Sequence, residues 1–135
     1  MTFEEEPVAL EEMARRIETV SAQFAWLVAE NAGSLAAYAY ASTWRSRAAY
    51  ERTVESTIYV ADAAHGTGVA RNLYLALLDA LRGRGFHAVI GCIALPNPRS
   101  VAFHEKCGFR KVGHFPETGR KFGKWIDVGF WQVTL

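Results

Sequence analysis

Glu55 opens a β-favouring run, Glu55-Ser56-Thr57-Ile58-Tyr59-Val60, and a few residues later the chain reads Ala64-His65-Gly66-Thr67-Gly68-Val69-Ala70-Arg71-Asn72-Leu73-Tyr74. β-Branched and aromatic residues, then small turn-forming ones, then at once a helical pattern describe a strand, a glycine loop and a helix. That junction suits anions. The first helical turn offers N–H groups without intrahelical partners, its dipole adds positive potential, and glycines at 66 and 68 let a phosphate approach the backbone. A pyrophosphate-bearing cofactor is the expected ligand. Glu55, just upstream, could accept a proton from a substrate beside that cofactor; equally, it could point to solvent from an edge strand.

Other chemistries fit less well. His65, Cys92, His104, Cys107 and His114 are soft ligand types, and His104 and Cys107 lie three apart on one helix face. Zinc sites show a paired Cys or His motif at each end, which this pattern lacks, so no metal is expected. Gly66-x-Gly68-x-x-Arg71 misses the third glycine of the dinucleotide fingerprint, and neither Gly-x-x-x-x-Gly-Lys-Ser/Thr nor Gly-x-Ser-x-Gly occurs. NAD, ATP and serine-hydrolase chemistry are therefore disfavoured.

The surrounding elements follow from periodicity. Glu4 to Glu6 and Pro7 suit a helix start, followed by Leu10, Met13, Ala14 and Ile17 at helical spacing. Phe24 to Glu30 and Ser34 to Trp44 read as a hairpin about Asn31-Ala32-Gly33. A polar, partly aromatic loop to Arg52 leads to the strand Thr53 to Ala61. The helix after the glycine loop buries Val69, Leu73, Leu77 and Leu81, with Ala70, Tyr74 and Leu78 beside them, and ends at Gly83 and Gly85. Phe86 to Ile93 is apolar enough for a strand buried on both faces, parallel to Thr53–Ala61 across that helix. Asn97 and Pro98 suit the cap and first turn of a short helix ending at Cys107-Gly108. Phe109 to Phe115 and Trp125 to Val133 read as final strands joined by a loop rich in glycine and lysine.

Composition bounds the rest. At 135 residues, half hydrophobic, the chain is expected to form one domain over residues 1–135. Fifteen basic and 14 acidic side chains leave a formal charge of +1, which gives no support to a nucleic-acid or membrane-surface partner. No apolar run approaches the roughly 18 residues of a spanning helix, and the acidic start lacks a basic n-region. A soluble, cytoplasmic protein with reduced cysteines is expected.

The segment from Glu55 to Arg71 resembles motif A of the Gcn5-related N-acetyltransferase (GNAT) superfamily, whose loop reads Arg/Gln-x-x-Gly-x-Gly/Ala; His65 stands where the first Arg or Gln would be. On either side of it, Trp44-Arg45, Tyr50, Thr53-Val54-Glu55-Ser56, Leu95-Pro96-Asn97, Ser100-Val101, His104-Glu105, Cys107-Gly108-Phe109 and Lys121-Phe122-Gly123-Lys124-Trp125-Ile126-Asp127-Val128-Gly129-Phe130-Trp131-Gln132 occur in an order similar to that of the phosphinothricin and methionine sulfoximine N-acetyltransferases. The resemblance covers nearly the whole chain. It implies an α/β acyl-CoA N-acyltransferase fold, a mixed and mostly antiparallel sheet flanked by helices. Relatives carry a strand and a helix before the segment resembling Phe3-x-x-x-Pro7, so the fold is expected to be N-terminally truncated. Because that helix helps wall the acceptor site, an acyl-CoA-binding regulatory or vestigial module is the alternative to an enzyme, and acetylation of protein N-termini is a third reading.

The resemblance also implies roles, with acetyl-CoA as cosubstrate and a small amino-acid-like amine as acceptor. Ile58, Tyr59 and Val60 match the strand that pairs with pantetheine. Gly66, Thr67, Gly68, Val69, Ala70 and Arg71 match the pyrophosphate loop, Asn97 the residue near the thioester, and Lys106 the far end of the cofactor. Glu55 matches the general base; Arg47 and Tyr50, with Glu55 and Ser56, fall where relatives meet the acceptor. His104 matches a family histidine near acetyl transfer and stands as candidate acid, because Phe103 and Phe109 occupy the region where many relatives carry a tyrosine. A backbone N–H of Ile58–Val60 would hold the oxyanion. Cys92 and Cys107 lack an activating neighbour in sequence, so direct transfer is expected over an acetyl-cysteine route. A homodimer is the expected assembly.

Overall fold

The computed structural model describes residues 24–31 and 33–135. The helix expected around Leu10 to Ile17, and Ala32 of the first turn, lie outside the described residues. The chain forms β1 (Trp26–Asn31), β2 (Ser34–Thr43), β3 (Thr53–Val60), α1 (Val69–Gly83), β4 (Ala88–Leu95), α2 (Pro98–Lys106), β5 (Arg110–Lys121) and β6 (Lys124–Thr134). One six-stranded sheet has the order β1-β2-β3-β4-β6-β5. All neighbours are antiparallel except β3 and β4, which run parallel. A parallel pair needs a crossover, and α1 supplies it.

One face of the sheet is covered by α1, whose buried residues are Leu73, Tyr74, Leu77, Leu78 and Leu81. They meet Ala37, Ala39 and Ala41 of β2 with Val54 of β3 and Val89 of β4. Small residues on β2 let the helix approach the sheet, and Leu73, Leu77 and Leu81 fall on the i+4 row read from sequence. Arg71, Asn72, Asp79 and Arg82 are exposed, also as read. The helix stops where expected: Gly85 takes φ +86° and the Phe86 N–H returns to the Leu81 carbonyl at 3.1 Å.

The C-terminal hairpin departs from the sequence reading. The expected glycine- and lysine-rich loop is a two-residue turn, Phe122-Gly123, with φ of +50° and +75°, and β5 continues through Lys121 rather than ending at Phe115. Pro116, Glu117 and Thr118 are accommodated as an irregularity between the pairs Phe115↔Val128 and Gly119↔Ile126. Asp127 supports it, accepting the Glu117 N–H at 2.9 Å and facing His114 Nε2 at 2.8 Å. These two hydrogen bonds, His114's first, hold the Asp127 carboxyl below the usual carboxylate range. β4 likewise begins two residues later than expected, with Phe86 left to meet Phe24, ring centroids 5.7 Å apart.

Candidate active site

The sheet opens in its middle. β3 and β4 pair from Thr53↔Ala88 to Ser56↔Gly91, yet β3 continues to Val60 and β4 to Leu95. Beyond the last pair each strand keeps its outer neighbour, residues 57–60 with β2 and residues 92–95 with β6. Alternate backbone groups of Thr57, Ile58, Tyr59 and Val60 therefore face the opening, where an extended ligand arm can hydrogen-bond as a strand would.

The glycine loop borders this opening at the end of β3. Gly66 and Gly68 take φ of +79° and +85°, and a Cβ on either would meet nothing within 4 Å. Space and bare backbone thus coincide at the helix N-terminus, where Gly68 is the cap residue of α1. The Thr67 hydroxyl donates to the Ala64 carbonyl at 2.6 Å and accepts from the Val69 N–H at 3.4 Å, fixing the loop. Arg71 is exposed on the first turn. The arrangement fits a pyrophosphate.

Glu55 lies on the face of β3 away from α1, half-buried, and pairs with Ile90. Side chains two apart share a strand face, so Cys92 stands on the same side, and its thiol donates to Glu55 Oε1 at 3.3 Å. Burial first, then the Glu55 carboxylate, pushes the Cys92 thiol up to about 12. It remains a thiol at neutral pH, which argues against Cys92 as a nucleophile. Cys107 is buried, and its thiol is raised by that burial. Cys92 also pairs with Phe130, on which Trp44 sits edge-on at 5.8 Å. Trp44 anchors the start of a loop whose Arg45, Ser46, Arg47 and Tyr50 line a cavity of about 350 Å³. Arg47 and Tyr50 are thereby together, and Arg45 joins them; the adjacent Trp44-Arg45 pair was the signal for it.

Ser56 goes the other way. It is buried towards α1, its hydroxyl 2.5 Å from the Tyr74 hydroxyl, so strand alternation separates it from Glu55. His104 shares this inner side. It is 5% exposed, and its ring meets those of Tyr74, Phe103 and Phe109. A Cβ on Gly91 would lie 3.0 Å from His104 Nε2, so the imidazole sits directly beneath the last paired residue of β4. Nδ1–H donates to the Ser100 carbonyl at 2.8 Å. Burial outweighs that bond and lowers the His104 value from the ordinary 6.5. The unfolded chain then binds more protons below 6.5, and stability is complete above that value and falls as the pH drops through the folded value. Urea midpoints are expected to fall between pH 7 and pH 5, and to fall less in His104→Asn. An equal fall in both proteins would remove His104 as the cause.

The remaining candidates flank the opening. Asn97 caps α2, its Oδ1 accepting the Ser100 N–H at 3.2 Å, which places it just past the end of β4. Lys106 is exposed at the last turn of α2. Among the described residues, no three His, Cys, Asp or Glu side chains converge as metal ligands, and no helix is long and apolar enough to cross a membrane.

A parallel strand pair that parts beside a glycine loop and a helix N-terminus agrees with the acyl-CoA N-acyltransferase fold that the resemblance implies. The model of the acetyltransferase (GNAT) domain matches residues 1–129, and the chain belongs to the GNAT acetyltransferase family. It is 41% identical over 132 residues to a phosphinothricin N-acetyltransferase of Streptomyces viridochromogenes, a match covering 98% of this chain and 72% of that protein. Among solved structures, a phosphinothricin acetyltransferase from Sinorhizobium meliloti in complex with acetyl-CoA superposes with a TM-score of 0.92 at 37% identity, covering 99% of this chain and 74% of that one. A ribosomal-protein-alanine N-acetyltransferase from Brucella melitensis gives 0.95 at 33%, with 99% and 83% covered.

Proposed function

We propose that this acetyltransferase moves the acetyl group of acetyl-CoA to the α-amino group of a small amino-acid-like acceptor, of the phosphinothricin or methionine sulfoximine type, by direct transfer in a ternary complex. The observation that carries this reading is the placement of Glu55 at the fork of the sheet, on the face leading through Cys92, Phe130 and Trp44 to the cavity bearing Arg45 and Arg47. Two guanidinium groups there suit an acceptor with a carboxylate or a comparable acid. Glu55 takes the proton of the incoming ammonium, and the acetyl thioester supplies the electrophile. Backbone groups of Ile58–Val60 hold the ligand arm and the oxyanion. The loop from Gly66 to Arg71 holds the pyrophosphate, Asn97 borders the thioester end, and Lys106 meets the cofactor's far end. Arg47 and Tyr50 orient the acceptor.

Two roles change in this reading. Ser56 serves the core through Tyr74 rather than the acceptor. His104, buried and with its Nδ1 proton given to Ser100, supports β4 beneath the fork rather than donating a proton to the departing thiolate. We also propose a single domain acting as a cytoplasmic homodimer. Exposed Val112, Phe115 and Trp125 on the β5–β6 hairpin are the apolar surface supporting that assembly.

Thiol release from acetyl-CoA, measured over a panel of amines, tests the reading. Release is expected with phosphinothricin or methionine sulfoximine and not with a peptide bearing an N-terminal alanine. Release with the peptide alone would favour protein acetylation. Binding of acetyl-CoA without release on any amine would favour an acyl-CoA-binding module.

A further inference from the structure

Glu55 and Cys92 are 37 residues apart and meet only because β3 and β4 run parallel in a register that places Ile90 beside Glu55. Their bond lies at a defined point in the sheet. The ladder ends at Ser56↔Gly91, and Cys92 is the first residue of β4 past that end. The thiol therefore reaches back across the fork to hold a carboxylate on the last paired stretch of the opposite strand. We propose that Cys92 is a positioning residue for Glu55, its S–H fixing the carboxylate's orientation at the mouth of the opening.

The surroundings leave this carboxylate with few alternative anchors. The residue paired with Glu55 on β2 is Ser42, that on β4 is Ile90, and beside Cys92 on β6 stands Phe130, covered by Trp44. The cation attached to this cluster is Arg45, whose guanidinium lies over the Trp44 ring at 5.1 Å. Arg47 lines the adjoining cavity beside Arg45. A cysteine kept as a thiol is a permanent donor to its neighbour, since only the protonated form has a hydrogen to give. Loss of that donor frees the carboxylate to turn away from the amine, which lowers kcat without touching cofactor affinity.

The inference rests on Glu55 as the base, and the experiment separates the two. Acetyl-CoA turnover with the best amine of the panel is measured for Cys92→Ala, Cys92→Ser, Glu55→Gln and the double variant Glu55→Gln/Cys92→Ala. Cys92→Ala is expected to lower kcat about 3- to 10-fold, with the KM for acetyl-CoA unchanged. Cys92→Ser, whose hydroxyl also donates, is expected to restore kcat, and Cys92→Ala to cost nothing further once Glu55 is Gln. If Glu55→Gln abolishes turnover while Cys92→Ala keeps the wild-type rate, the role of Cys92 is overturned and that of Glu55 stands. If Glu55→Gln keeps full turnover, both fall.

Discussion

Glu55→Gln is expected to lower kcat by about 10²- to 10⁴-fold at neutral pH, the usual contribution of a positioned general base, with acetyl-CoA affinity unchanged. The α-amino group of a free amino acid, beside a carboxylate rather than a peptide carbonyl and so more basic than the roughly 7.7 to 8.0 of a peptide's amino terminus, arrives almost wholly as ammonium at that pH, and nitrogen cannot attack a carbonyl until the proton is gone. Glutamine keeps the length and shape of glutamate and can still accept the Cys92 thiol's hydrogen bond. The substitution therefore removes the proton acceptor with little change in packing. The deficit should shrink as the pH rises past the amine's own value, because solvent then supplies the free base. Initial rates from pH 6 to 10, beside acetyl-CoA titrations monitored by tryptophan fluorescence, check both halves. Full turnover in Glu55→Gln at pH 7 refutes the base, and a deficit that stays constant with pH assigns Glu55 to acceptor binding instead.

Gly68→Val is expected to raise the KM for acetyl-CoA by about 10- to 100-fold, the loss of one or two hydrogen bonds to a charged group, while the KM of the amine holds. Gly68 sits at φ +85° as the cap of α1, where a β-branched residue is a backbone outlier. Its added methyls would also project into the open space beside the backbone, where the proposed pyrophosphate would approach. The cavity proposed for the acceptor is built from the β2–β3 loop and shares no residue with this turn. Varying each substrate at saturation of the other separates the constants. An unchanged KM for acetyl-CoA would remove the loop from cofactor binding; an equal rise in both constants would signal a collapse of the site.

The parts of the molecule legible in sequence are those determined by local chemistry. Leu73, Leu77 and Leu81 repeat at helical spacing, Gly85 takes the left-handed position that ends α1, and Asn97 caps α2 three residues before the N–H it accepts. Glu55 and the glycine loop are likewise neighbours in sequence. What was not legible depends on pairing. Pro116, Glu117 and Thr118 have the composition of a loop, and the Asp127 carboxylate on β6, accepting the Glu117 N–H, helps hold them in a strand. Ser56 is one residue from Glu55, yet the pleat turns it to Tyr74 on the far face. His104 could be read as a surface residue of a short helix, because its burial comes from Tyr74 and Phe109 on other elements. The contact of Cys92 with Glu55 depends on the parallel register, which no spacing along the chain encodes.

The opening between β3 and β4 also bears on cohesion. Four residue pairs of the β3–β4 ladder join a three-stranded half, β1-β2-β3, to another, β4-β6-β5. The two halves meet along this short seam, and α1, which joins β3 to β4 in sequence, packs on β1, β2 and β3. A ligand that lies in the seam and bonds to the free edge of β3 acts as a missing strand, completing the sheet as well as occupying a site. Because such a ligand binds the folded chain and not the unfolded one, its binding energy adds to folding energy. The sheet's shortest ladder and the proposed site of acetyl transfer are the same place.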